Sequence, residues 1–202
     1  TINDAGDNSS DDGIRIRRSG VITNSAGGVI NINNAKDEGI QIEDESLSTG
    51  VFNNSGTVNI TSAADHGMEC FGTFNNLNGG VFNATNCSDD GIRLQNDGVF
   101  NNDGAIGIDG SGSEDIETET AASFINTANS TFAPGSSIGD LEIRDDFDLG
   151  ASTVTFEING TTAGTDYDQI KASTSSNTFT IGPSTKINLV WAIPLVLVIN
   201  LI

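Results

Sequence analysis

The sequence is short of basic residues, of cysteine and of proline, and each shortage closes off a class of protein. Eight Lys and Arg stand against 28 Asp and Glu, for a formal net charge of −20. A surface of that sign repels phosphate backbones and anionic headgroups, so no nucleic-acid partner is expected. Two cysteines, Cys70 and Cys87, are too few for a disulfide framework and read as buried thiols that act as small hydrophobes. The first 132 residues hold no proline, while Gly and Asn recur every few positions, which argues against helix throughout. There is no nucleophile elbow, phosphate loop or zinc-ligand spacing. The chain opens at Thr1 without a basic or apolar leader, as expected of a processed chain or a piece of a longer one.

What the sequence has is repetition. Asp11-Asp12-Gly13-Ile14-Arg15-Ile16 returns as Asp37-Glu38-Gly39-Ile40-Gln41-Ile42, Asp65-His66-Gly67-Met68-Glu69-Cys70 and Asp89-Asp90-Gly91-Ile92-Arg93-Leu94. The glycines are 26, 28 and 24 residues apart, an interval typical of stacked repeats. Between these lie a second phrase, as in Val51-Phe52-Asn53-Asn54, and a third, as in Thr57-Val58-Asn59-Ile60. Apolar residues alternate within each phrase, the period of a strand with one buried face.

Three short strands, three turns and a return after about 26 residues describe one coil of a parallel β-helix. The expected fold is therefore all-β, a right-handed parallel β-helix (β-solenoid) of about five coils. Stacking predicts interior columns: Ile14, Ile40, Met68, Ile92; Ile16, Ile42, Cys70, Leu94; and Ile22, Phe52, Phe74, Phe100, Phe124. Ile30, Val58, Phe82 and Ile106 make a further wall. Asn24, Asn53, Asn75 and Asn101 are expected as one ladder at a turn, where Asn tolerates left-handed backbone. Residues 1–132 carry these repeats. Residues 133–202 read as a C-terminal β extension that completes or caps the stack, with longer strands such as 154–158 and 187–191.

Ala133-Pro134-Gly135-Ser136-Ser137-Ile138-Gly139-Asp140-Leu141, followed by Gly164-Thr165-Asp166-Tyr167-Asp168-Gln169-Ile170, resembles the end of β-helical passenger regions in bacterial autotransporter-like surface proteins. The resemblance covers the final third of the chain and implies an extracellular or cell-surface protein of adhesin type. No outer-membrane barrel follows within the sequence, so the family's export route is not carried over.

Two sets of residues are candidate sites. The carboxylates of Asp11, Asp37, Asp65, Asp89 and Asp90 recur at one turn, where stacked like charges would be relieved by a hard cation such as calcium. Asp before Gly is also ordinary turn chemistry. The apolar end of the chain, with Pro194, Leu195, Val196, Leu197, Val198 and Ile199, is too short and β-branched to span a bilayer as a helix. No membrane insertion by this segment is expected. With Ile2 at the other end it is a candidate for head-to-tail assembly. The expected function is structural and non-catalytic: a stalk, adhesin or filament subunit that partners itself end to end or other surface proteins. The alternatives are a glycan-binding β-helix or an acidic-polysaccharide lyase or hydrolase using Asp65, His66, Asp89, Asp90 and Arg93, and a calcium-organised surface layer.

Overall fold

The computed structural model describes residues 1–5, 8–43, 50–119, 121–135 and 138–191. Every strand of these residues pairs in parallel with the equivalent strand one turn away, apart from single bridges at Tyr167. The chain is a β-solenoid of about six turns, one more than the phrases suggested.

Each turn visits three walls. The first, seven-stranded, carries the Gly-Ile phrase: Ile14–Ile16, Ile40–Ile42, Met68–Cys70, Ile92–Leu94, Ile116–Thr118, Asp140–Arg144 and Gln169–Ala172. The second, five-stranded, comprises Val21–Asn24, Val51–Asn54, Thr73–Asn76, Val99–Asn102 and Ser123–Asn126. The third, eight-stranded, runs from Ile2–Asn3 through Val29–Asn33, Thr57–Thr61, Val81–Thr85, Ala105–Asp109, Thr131–Pro134 and Thr153–Ile158 to Lys186–Trp191. The residues after 133 thus extend two walls of the same stack. They fell outside the repeated phrases because the ladder is held by backbone bonds that any sequence can make.

The core is built of like residues on like. Ile14, Ile40, Met68, Ile92, Ile116 and Ile143 lie in one register, and Ile16, Ile42, Cys70 and Leu94 in another. Phe52, Phe74, Phe100 and Phe124 stack ring on ring at 5.0, 4.9 and 4.7 Å, near the strand spacing. Phe147 meets Phe124 at 5.1 Å and stacks on Phe179 at 6.1 Å, so the aromatic column outlasts the second wall. Cys70 and Cys87 are free, buried thiols, Cys87 following Ala35 and Ala63 in its column.

The asparagines form separate ladders rather than one. Asn24 pairs with Asn54, Asn76, Asn102 and Asn126, while Asn53, Asn75 and Asn101 occupy the neighbouring outward column. The inner column is buried from Asn24 to Asn102, with Asn126 half-buried, and each Nδ2 donates to the next Oδ1: Asn24 to Asn54 at 2.9 Å, Asn54 to Asn76 and Asn76 to Asn102 at 3.0 Å, Asn102 to Asn126 at 3.2 Å. Asn54 and Asn76 also donate to the carbonyls of Val81 and Ala105, and Asn54 and Asn102 accept from the amides of Gly56 and Gly104. A polar group inside a core is tolerated on these terms. The outer ladders, Asn101 to Asn75 to Asn53 and Asn83 to Asn59 to Asn31, donate in the opposite axial sense.

Left-handed backbone is found elsewhere. Asp4, Asn34, Ser62, Asn86 and Gly110, each just after a third-wall strand, take φ of 47, 55, 58, 54 and 68°. Four of the five are Asp, Asn or Gly, the residues that accept this conformation most readily.

Candidate functional site: the acidic corner

The corner leading into the first wall carries several buried acids, Glu38, Asp90 and Asp115 among them. Two columns run side by side there. Asp37, Asp65 and Asp89 stack through backbone bonds, Asp65 N–H to Asp37 at 3.2 Å and Asp89 N–H to Asp65 at 3.1 Å. Asp11 begins a different arrangement, its N–H reaching back to Asn8 at 3.3 Å. Beside them Asp12, Glu38, His66, Asp90 and Glu114 occupy the position before each glycine or its equivalent. Glu38, His66 and Asp90 are buried, with 4, 2 and 1% exposure. Their place follows from parity: each stands two residues before an interior Ile or Met, on the same side of the chain.

The glycine between is required by the corner. A Cβ on Gly67 would lie 2.5 Å from the Gly91 carbonyl, 2.9 Å from Ala84 Cβ and 3.0 Å from Cys87 Sγ. Only a residue without a side chain lets the acidic column turn into the strand at this depth.

Of the five aspartates singled out from the sequence, the fold brings Asp65 and Asp89 together with His66, and groups Asp37 with Asp12 and Glu38. Asp90 instead joins an inward network. Its Oδ1 accepts from the Glu114 N–H at 3.1 Å, and its Oδ2 lies 3.3 Å from His66 Nδ1. The Asp90 N–H donates to His66 Nδ1 at 3.2 Å, and His66 Nε2 lies 3.3 Å from Arg93 Nη1; the neutral ring accepts at Nδ1, and protonation turns that nitrogen into a donor to Asp90 Oδ2. Burial opposes charge on His66, but the hydrogen bond to Asp90 and the charges of Asp65, Asp90 and Glu69 raise its pKa overall. Burial likewise opposes ionised Asp90, and the bonds from His66 and Glu117 outweigh it and lower its pKa.

The outward face of the first wall carries Arg15, Gln41, Glu69, Arg93, Glu117 and Arg144 in register. Glu69 and Arg93, side by side in this column, take other partners. Gln41 and Gln95 donate to Glu69 at 2.9 and 2.7 Å, and Arg93 turns to Glu119 at 3.1 Å and Glu117 at 3.5 Å. Arg144 reaches Glu117 at 2.9 Å. Long side chains lying over one another leave Glu69 and Glu117 only 9 and 6% exposed, so this part of the wall is far drier than a free strand face. Burial first, then the hydrogen bond and charge of Asp90, push the Glu117 pKa up to about 7.

Asp166 and Asp168, in the 164–170 segment, hold loops. Asp168 accepts from the amides of Gly139 at 2.8 Å and Glu157 at 2.6 Å, and Asp166 from those of Thr161 and Thr162. Ile2 lies in the outermost third-wall strand and is partly buried. Pro194, Leu195, Val196, Leu197, Val198 and Ile199 lie outside the described residues.

The fold and this corner define the chain as a β-solenoid with an acid-lined edge. Comparison with protein-family models, curated proteins and solved structures finds no match to it.

Proposed function

We propose that the chain is a structural solenoid of an extracellular or cell-surface protein, a stalk, adhesin or filament segment that adds copies of itself end to end. The observation that carries this reading is the state of the last described strand. Ile187, Leu189 and Trp191 are in register with Val154, Phe156 and Ile158, on the face of the third wall that points inward in earlier turns. Yet they are 46, 47 and 55% exposed. At the opposite end Ile2, Ile14, Ile22 and Ile30 are only partly buried.

Each end of the described stack thus shows the apolar side chains that fill the middle, and a second copy continues the columns with the same chemistry. Parallel strands on both outermost edges of the third wall suit that contact. The repetitive acidic face and rigid ladders fit a load-bearing or display role. The similarity of the 133–141 and 164–170 segments to autotransporter-like passenger regions supports a place outside the cell.

Sedimentation velocity and electron microscopy over a concentration series test the assembly. Axial oligomers or fibres that shorten in Leu189→Lys are expected. A chain that stays monomeric at millimolar concentration would overturn it.

A further inference from the structure

Three carboxylates meet where the first two turns share the acidic corner. Oxygens of Asp12, Asp37 and Glu38 lie within 4.8 Å of one another. Oxygens bound to one Ca²⁺ at 2.3–2.6 Å are at most about 5 Å apart, so the spacing suits a single ion. Two atoms in the cluster lack partners. Glu38, 4% exposed, has an Oε2 with no hydrogen bond, and Asp12, whose side chain is fully buried, has an unbonded Oδ1. Asp12 Oδ2 is held by Arg15 Nε. A buried acceptor without a donor is costly; burial first, then Asp12, pushes the Glu38 pKa up to about 9, so without an ion a proton on Glu38 fills the gap between the two oxygens.

The second cluster at this corner, between the third and fourth turns, does not share this condition. In Asp65–His66–Asp89 both ring nitrogens already have neighbours, Asp90 and Arg93, and no atom of the three is buried without a hydrogen-bond partner.

We infer that Asp12, Asp37 and Glu38 form a calcium site. Asp12 Oδ1 and Glu38 Oε2 are the inner ligands. Asp37, half-buried at the mouth, supplies a third oxygen and leaves room for water to complete the shell. Ionised around an ion, the three carboxylates against the guanidinium of Arg15 leave two negative charges, which one divalent cation cancels as it displaces the Glu38 proton to solvent. An all-oxygen donor set of uneven geometry favours Ca²⁺ over Zn²⁺, and over the strict octahedron of Mg²⁺. Such an ion would bridge two turns of the stack.

Isothermal titration of the chelator-stripped chain with CaCl₂, with MgCl₂ as a second arm and thermal melts alongside, tests the assignment. The expected result is one Ca²⁺ per chain, a raised melting temperature, and affinity at least tenfold lower in Glu38→Gln and Asp37→Asn but unchanged in Asp65→Asn. Gln at 38 can donate to Asp12 and so keeps the corner folded without the ion; Asp37→Asn, at the exposed mouth, is the second check on folding. No heat and no shift in melting temperature in millimolar Ca²⁺ would overturn it. So would Mg²⁺ binding as tight as Ca²⁺, or several weak sites that survive both substitutions, the signature of ions screening an acidic surface.

Discussion

Replacing Asn76 and, separately, its neighbour Asn75 by Ala separates the buried ladder from the exposed one. Asn76 is fully buried and makes three side-chain hydrogen bonds, all at 3.0 Å: from Asn54, to Asn102 and to the Ala105 carbonyl. At about 1 kcal/mol net for each bond, Asn76→Ala loses about 3 kcal/mol. Asn54 and Asn102 keep second partners in Val81 and Gly104, which limits the loss, but the Ala105 carbonyl keeps no side-chain donor from the ladder. Asn75 makes two bonds at 2.8 Å, to Asn53 and from Asn101, on the half-buried outer face. Water can replace both, so Asn75→Ala is expected to cost less than about 1 kcal/mol. Urea denaturation followed by far-ultraviolet circular dichroism reads the difference as a shift in midpoint at unchanged slope. Equal losses for the two variants, or a larger loss for Asn75→Ala, would refute the division into inner and outer columns.

Gly67→Ala meets the Gly91 carbonyl at 2.5 Å and should cost about 2–3 kcal/mol by overpacking, whereas Gly79→Ala, with nothing within 4 Å but φ at +83°, should cost about 1 kcal/mol of backbone strain; similar melting temperatures would contradict this. Glu117 holds its proton up to about 7 in the folded chain, so its contribution to stability is full below about 4.5 and fades as pH rises through 7. Glu117→Gln should therefore flatten the fall in melting temperature over that window, and curves running parallel to wild type would count against the shared Asp90–Glu117 proton. Burial pushes the Cys70 and Cys87 thiols up to about 12 and about 11. A disulfide reagent at pH 8 should find no reactive thiol in the native chain and two in denaturant, and rapid native labelling would show the core to be open.

The columns of Ile and Phe were legible because each phrase alternates cleanly and starts with the same kind of residue. Val21 over Val51 brings Ile22 onto Phe52 without further information. The asparagines were misread at the same step: that alignment sets Thr23 over Asn53 and Asn24 over Asn54. Two adjacent Asn look like a turn, yet the strand runs on through the second, whose parity points inward. Asp12 and Glu38 are visible in the sequence as neighbours of the repeated aspartates, but a polar residue reads as exposed, and their burial emerges only when the turns are stacked. The sixth turn escaped notice because its strands share hydrogen bonds with the repeats and no phrase.

Among the described residues the asparagine and phenylalanine ladders are closed by the turn directly above and the turn directly below. Nothing in such an arrangement fixes a total length. Duplicating one stretch of about 26 residues inserts a slab about 4.8 Å thick that finds its own neighbours on both sides. Reach can therefore be dialled by copying, without redesign of any surviving contact, and the cost of a copying error depends on whether it falls in a corner, which can absorb it, or in a wall, where one residue turns the inside out.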